Sequence, residues 1–212
     1  MLHHIADALH AKDKILILVI PPKRESWSGP AGFSEENFKK LYQVVDFFSL
    51  MTYDYKLVLF YLIMTGVCTC SCWNLLKNSS SGQHGFNAPL RWVKECVEHI
   101  DPGELARMKI LMGLNFYGRY IENIEEQKVD HILGRDLVKK IAHLDGSTEF
   151  DWSSEAHEHY LMYNDAESDQ RSAIFYPSLM SINERLQVAK ALKVGISIWE
   201  VGQGLDYFYD LL

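Results

Sequence analysis

Positive charge is scarce in this sequence. Its 212 residues carry 21 Lys and Arg against 28 Asp and Glu, a formal net charge of −7. Gripping nucleic acid takes clustered Lys and Arg that displace counterions from phosphates, so a nucleic-acid partner is not expected. Six Pro and 13 Gly are too few for a collagen-like or linker-like chain. Cysteine is sparse as well. Three of the four alternate at Cys68, Cys70 and Cys72, which suits neither a C-x2-C zinc knuckle nor a redox C-x-x-C pair, and Cys96 stands alone. His3, His4 and His10 are not at zinc-helix spacing, and His157 and His159 have no third ligand in view. No metal and no cofactor are expected. The N-terminal stretch MLHHIADALHAKDK is charged and amphipathic, without an apolar core and small-residue cleavage site, so it does not read as a signal peptide.

What is present is an ordinary globular composition, 48% apolar. The length admits one domain, yet it falls short of the about 250 residues of a typical complete α/β barrel. His3 to His10 reads as a helix end. The run ILILVI at Ile15 to Ile20, stopped by Pro21 and Pro22, reads as a strand buried on both faces. Ser34 is placed to cap a helix, with Glu35 and Glu36 in its first turn. Further strands are expected over Val44 to Thr52, Ile110 to Asn115 and Gly195 to Trp199. Helices are expected over Ala88 to Ile100, Asp136 to His143 and Ser181 to Leu192. Short strands are expected at Glu149 to Trp152, Tyr160 to Tyr163 and Ala173 to Tyr176. Strands alternating with helices imply an α/β fold with a parallel sheet.

Ligands of such folds bind beyond the carboxyl ends of the strands. Those ends carry Met51, Tyr53 and Asp54, then Asn115 and Tyr117, then Trp199 and Glu200. Aromatic faces stack on pyranose rings while carboxylates and amides take hydroxyls, so the set is a candidate sugar site.

Three stretches resemble a known family. MTYDY at Met51 to Tyr55 is similar to the M-x-Y-D motif on the sixth strand of glycoside hydrolase family 18, the chitinases and chitinase-like lectins. GLNFYGR at Gly113 to Arg119 and GISIWEVGQG at Gly195 to Gly204 resemble its seventh and eighth strand motifs. The stretch EFDWSSEAHEHYLMYND followed by AIFYPS resembles the family's small α+β insertion between strands seven and eight. The resemblance implies the C-terminal half of a TIM (β/α)8 barrel, strands five to eight, over residues 1–212, with the insertion at 119–177. It implies that Tyr53 donates its hydroxyl to the N-acetyl carbonyl of a sugar, that Asp54 binds the sugar, that Met51 lines the pocket and that Trp199 floors it. The implied partners are an oligosaccharide of chitooligosaccharide or N-acetylglucosamine type and a sorting or scavenger receptor of the stabilin type. A membrane partner is not expected. The resemblance implies a secreted or lysosomal parent protein.

One family element has no counterpart in the sequence. Hydrolysis in the family uses a Glu that ends the motif D-x-x-D-x-D-x-E on the fourth strand. No two Asp residues here are separated by three positions or by two, so the motif does not occur. A general acid typically contributes about 10²–10⁴-fold to the rate. Sugar binding without hydrolysis is therefore expected, with no catalytic residue assigned. The rival readings are a glycosidase whose longer form supplies that acid, and a membrane-associated or non-functional splice fragment.

The last rival arises from residues 56–78. Leu57 to Leu76 is twenty residues without a charge, the length of a membrane span, but Thr65, Gly66, Thr69, Ser71 and Asn74 dilute it. Removing 56–78 leaves MTYDYSSSGQHGFNAPLRW, which resembles the family's uninterrupted loop. The segment is expected to be an insert from non-coding sequence or alternative splicing.

Overall fold

A computed structural model describes residues 1–23, 32–55, 85–124, 129–144, 148, 150–164 and 170–212. The 56–78 insert and the three alternating cysteines lie outside the described residues. The chain divides into two compact units. The first comprises Met1–Tyr53, Trp92–Leu114 and Arg185–Ile198; the second comprises Asp54–Arg91, Asn115–Glu184 and Trp199–Leu212.

In the first unit, helix α1 (Leu2–His10) leads into strand β1 (Ile17–Ile20), helix α2 (Glu35–Leu41) and strand β2 (Phe47–Leu50). Helix α3 (Leu90–Ile100), mostly in this unit, precedes strand β3 (Ile110–Asn115). Helix α2 starts where Ser34 was expected to cap it. The Ser34 Oγ accepts from the Asn37 N–H, and Asn37 Oδ1 accepts from the Ser34 N–H in return, so both orphan donors are satisfied. Lys39 and Lys40 pair with Glu35 and Glu36 one turn back. Parallel pairing joins β1 to β2 and β2 to β3. The final strand, Gly195–Trp199, borders β3, giving a four-stranded sheet.

Helix-side residues of this sheet are packed tightly. Phe48, Leu50, Ile110 and Met112 are fully buried, and the Phe38 ring of α2 packs tilted against Phe48 with ring centroids 4.9 Å apart. Cys96 is buried on α3, and the loss of water pushes its thiol up to about 12.

The expectation for Ile15 to Ile20 needs correction. The run is not buried on both faces: Ile15 and Val19 are each 57% exposed and Ile17 is 46% exposed. A continuous apolar run shows that both faces are apolar, but only packing elements can cover them. Helices cover one face of this sheet, and no described residue of the unit covers the other.

The second unit is built on an antiparallel sheet. Its strands are β4 (Gly118–Ile121), β5 (Val129–Ile132), β6 (Asp151–Ser153), β7 (Glu158–Asn164) and β8 (Arg171–Tyr176), in the order β5-β4-β8-β7-β6. Helix α4 (Gly134–Ala142) follows β5. Helix α5 (Leu179–Leu192) follows β8 and ends before the final strand, β9 (Gly195–Trp199). The core gathers Phe86, Ile121, Ile124, Ala156, Ala173 and Phe175, with Phe86 meeting Phe175 edge-on at 4.9 Å. Strands β4 and β5 were not anticipated. Gly118 is required where β4 meets β8, because a Cβ there would strike the Phe175 carbonyl and the Tyr176 ring. Among the described residues, no helix is long and apolar enough to cross a membrane.

Candidate functional site

The structure divides the expected site residues between the two units. Met51 and Tyr53 belong to the first; Asp54, Asn115, Tyr117, Trp199 and Glu200 belong to the second. In the first unit the Met51 N–H bonds the Ile20 carbonyl at 3.1 Å, which extends the β1–β2 ladder to the strand end. Met51 is half-buried and Tyr53 is buried. Thr52 Oγ1 donates to the Gly113 carbonyl at 2.7 Å. The Tyr53 ring lies so close to Gly113 that a Cβ there would come 2.8 Å from its Cε1 and 2.5 Å from the Leu50 carbonyl. That glycine is what lets the tyrosine sit against β3.

The second unit assembles a polar cluster. The Tyr117 hydroxyl donates to Asp54 Oδ1 at 2.8 Å. Burial, then the Asp54 charge, push Tyr117 ionisation upward, so it remains a phenol able to donate. Asp54 takes a left-handed backbone, φ 61°, and its N–H donates to Asn87 Oδ1 at 2.8 Å. That bond fixes the direction of a residue whose backbone is strained for anything but glycine or Asx. Asn115 Nδ2 donates to the Tyr117 carbonyl at 2.8 Å, and Asn87 Nδ2 reaches the same oxygen at 3.4 Å.

Beneath these lies Arg119, only 2% exposed. Its Nη1 donates to the carbonyls of Tyr55 and Phe86, and its Nη2 stands 3.8 Å from Asp54 Oδ1. Among the described residues, Nε and Nη2 have no hydrogen-bond partner. Burial depresses the guanidinium pKa and Asp54 opposes that, yet an arginine stays charged under such shifts. The cation therefore biases the buried side of Asp54 while 29% of that side chain faces outward. Glu158, 3% exposed, receives the N–H groups of Asn87 and Ala88 at 3.1 and 2.9 Å and so holds the turn that carries Asn87.

Trp199 is 51% exposed, and its carbonyl accepts from the Phe116 N–H at 3.0 Å. The Trp199–Glu200 peptide is cis, and Glu200 is exposed. Gly204 allows close approach to Phe116, where a Cβ would come within 2.9 Å of the ring. The cluster thus offers a carboxylate edge, a phenol and a separate exposed indole face, the groups that carbohydrate recognition uses. The residues that sequence reasoning missed are Asn87, Arg119 and Glu158. Arg119 lies in the quoted motif two positions after Tyr117. Nothing local marks Asn87 or Glu158, which meet only through the fold.

The family model of glycosyl hydrolases family 18 matches residues 1–204. The chain belongs to that family. Solved structures agree on the fold. A chitinase from Chromobacterium violaceum superimposes with a TM-score of 0.74 at 18% identity, over 99% of this chain and 58% of that one. The Bacillus megaterium spore cortex-lytic enzyme SleL gives 0.72 at 16% identity, over 99% and 43%. The Cycas revoluta family 18 chitinase in complex with (GlcNAc)4 gives 0.66 at 14% identity, over 98% and 59%. This family 18 chain spans about half the length of the solved structures it matches.

Proposed function

We propose that this family 18 chain binds N-acetylated oligosaccharides of the chitin type without hydrolysing them, as the C-terminal half of a (β/α)8 barrel. Its strands β1, β2, β3 and β9 take the places of the fifth to eighth barrel strands, and the β4–β8 sheet is the family's α+β insertion. Within the family the ending SIWEVGQGLDYFYDLL points to the stabilin-interacting, chitinase-like lectins, which in turn points to a secreted or lysosomal setting and a scavenger-type receptor. The observation that carries the binding reading is the Tyr117–Asp54–Arg119 arrangement, which presents one partly exposed carboxylate with its direction fixed. Within the second unit Trp199 would supply the stacking face and Glu200 a rim acceptor; for the first unit the family resemblance assigns Tyr53 the role of a donor to an N-acetyl carbonyl and Met51 that of a lining side chain. Asn115 acts through the Tyr117 carbonyl it holds.

Hydrolysis is the second reading, favoured by the same cluster, because a directed Asp and Tyr would serve a reacting N-acetyl group equally well. It needs a carboxylic acid beyond these 212 residues, since the sequence holds no D-x-x-D-x-D-x-E. Calorimetry with chitotetraose tests the first reading. Trp199→Ala should weaken binding by about 1 kcal/mol or more, the scale of an aromatic packing contact. Unchanged affinity refutes it, and release of shorter sugars by a longer form that supplies the missing acid would replace it with the second.

A further inference from the structure

The first unit holds a cavity of about 580 Å³, within the range of about 300–1,000 Å³ usual for small-ligand sites. Helix α5 from Arg185 onward belongs to this unit, so every lining residue does. Helices α3 and α5 end at the cavity and strands β3 and β9 begin beyond it, which puts it at the opposite end of the sheet from Met51 and Tyr53. Its elements flank β3, an inner strand, so neither edge of the sheet enters into it. Helix α5 supplies an apolar wall of Val188, Ala191 and Leu192. The rest carries charge of both signs: Lys94 and Glu98 from α3, Glu104 and Arg107 from the turn before β3. Asp101, 2% exposed, fixes that turn. Its two carboxylate oxygens accept the Leu105 and Ala106 N–H groups at 2.9 and 2.8 Å, and its carbonyl accepts from Arg107 Nε at 3.1 Å. Arg107 is only 8% exposed, so its guanidinium is held in place from behind. Its Nη1 reaches Glu104 Oε1 at 3.3 Å, and Nη2 has no bond among the described residues. Lys94 Nζ stands 3.7 Å from Glu98 Oε1, too far for a hydrogen bond. Both carboxylates are open to solvent, so both ion pairs are weak enough to part for a ligand.

We propose that this cavity binds a small zwitterion of the amino-acid type, an apolar dipeptide with both ends free. Its carboxylate takes the Arg107 fork, whose planar donors match two carboxylate oxygens at once. Its ammonium goes to the carboxylates of Glu98 and Glu104. Its apolar side chains cover Val188, Ala191 and Leu192. The charges lining the cavity sum to zero, and a zwitterion keeps that balance. A plain anion would crowd Glu98 and Glu104, and a plain cation would crowd Lys94 and Arg107. Among the described residues no aromatic lines the cavity, which argues against a quaternary ammonium, because aromatic faces are what hold one. The cavity shares no residue with the candidate sugar site, so this inference stands independently of the sugar-binding reading.

Titration calorimetry of the 212-residue chain with leucyl-leucine tests it. Saturable binding to one site is expected. N-acetyl-leucyl-leucine lacks the ammonium and leucyl-leucine amide lacks the carboxylate, and each should bind at least ~10-fold more weakly, the scale of one charge-assisted contact. Ala191→Trp fills the cavity from an exposed helix position and should abolish binding. Arg107→Lys keeps the charge but loses the fork and should weaken binding about 10-fold. Met108→Trp adds the same bulk at a position 78% exposed and outside the cavity, and should change nothing. Matching circular dichroism and urea midpoints establish that the variants fold, and Ala191→Phe repeats the test should Ala191→Trp fail to. The proposal is overturned by the absence of saturable heat up to about 10 mM leucyl-leucine, by undiminished binding of either end-blocked peptide, or by binding that survives the folded Ala191 variant.

Discussion

The two units fail the usual inside–outside rule in opposite directions. The first unit leaves Ile15, Ile17 and Val19 exposed, whereas the antiparallel unit takes Asn87, Asn115, Arg119 and Glu158 out of water. Exposed apolar groups carry no local penalty beyond the burial they forgo, and so await a cover. Buried polar groups cost free energy unless partnered, so they persist only where the fold supplies the partners. The second unit contains a reason for three of these: Glu158 for two N–H groups, Asn87 for the Asp54 N–H and Asn115 for the Tyr117 carbonyl; Arg119 is bonded at Nη1 alone among the described residues and has Asp54 Oδ1 3.8 Å from its Nη2. The first unit contains no such reason for Ile17 or Val19. The comparison predicts steep mutational costs in the second unit and shallow ones on the open face of the first.

Phe175→Ala should show the largest effect. Its ring packs edge-on against Phe86 and stacks on Tyr160, and it sits in the core of the antiparallel unit at 2% exposure. Large-to-small changes at such sites cost about 3–5 kcal/mol, read as a loss in the urea midpoint. Glu158→Ala should follow at about 3 kcal/mol, because it strands the Asn87 and Ala88 N–H groups in a buried setting. Glu158→Gln keeps one acceptor oxygen and should recover part of that loss. Equal costs for the two Glu158 variants would show that volume rather than hydrogen bonding holds this turn.

Acid titration sharpens the comparison from the first unit. Asp46 accepts the Leu16 N–H at 2.6 Å and faces His10 at 2.9 Å, and the backbone bond first, then His10, lower its pKa. A depressed folded-state pKa contributes stability that is present above the ordinary carboxylate value, about 4, and fades as pH falls through the lower folded value. The difference in urea midpoint between the natural chain and Asp46→Asn should therefore be fullest above about pH 4 and shrink below it. A difference that grows in acid would contradict the assignment.

Legibility in the sequence follows the same divide. Ile110–Asn115 and Gly195–Trp199 appear in the structure with the bounds their apolar runs suggest, and the Ser34 cap sits where its turn residues place it. Strands β4 and β5 were hidden because GRYI and VDHI are short and mix charged with apolar residues, and only their pairing with β8 and each other makes them strands. Asp54 and Tyr117 were legible as motif residues. Asn87 and Glu158 were not, since each earns its place through a bond spanning 33 residues in one case and 71 in the other. The exposure of ILILVI was invisible for a different reason. Hydrophobicity reports what a strand can bury, and only the three-dimensional neighbourhood reports what covers it.

The smallest predicted effect is the sharpest test of that last point. Ile17→Thr and Leu50→Ala both remove apolar atoms from the same four-stranded sheet, one on each face. Leu50 is fully buried, and its truncation should cost about 2–5 kcal/mol through lost packing and a residual cavity. Ile17 is 46% exposed, and its replacement by a β-branched residue that keeps strand propensity should stay within about 0.5 kcal/mol. Equal costs at the two positions would mean that the open face is covered in the isolated chain, and the contrast between the two units would then reduce to one of strand direction alone.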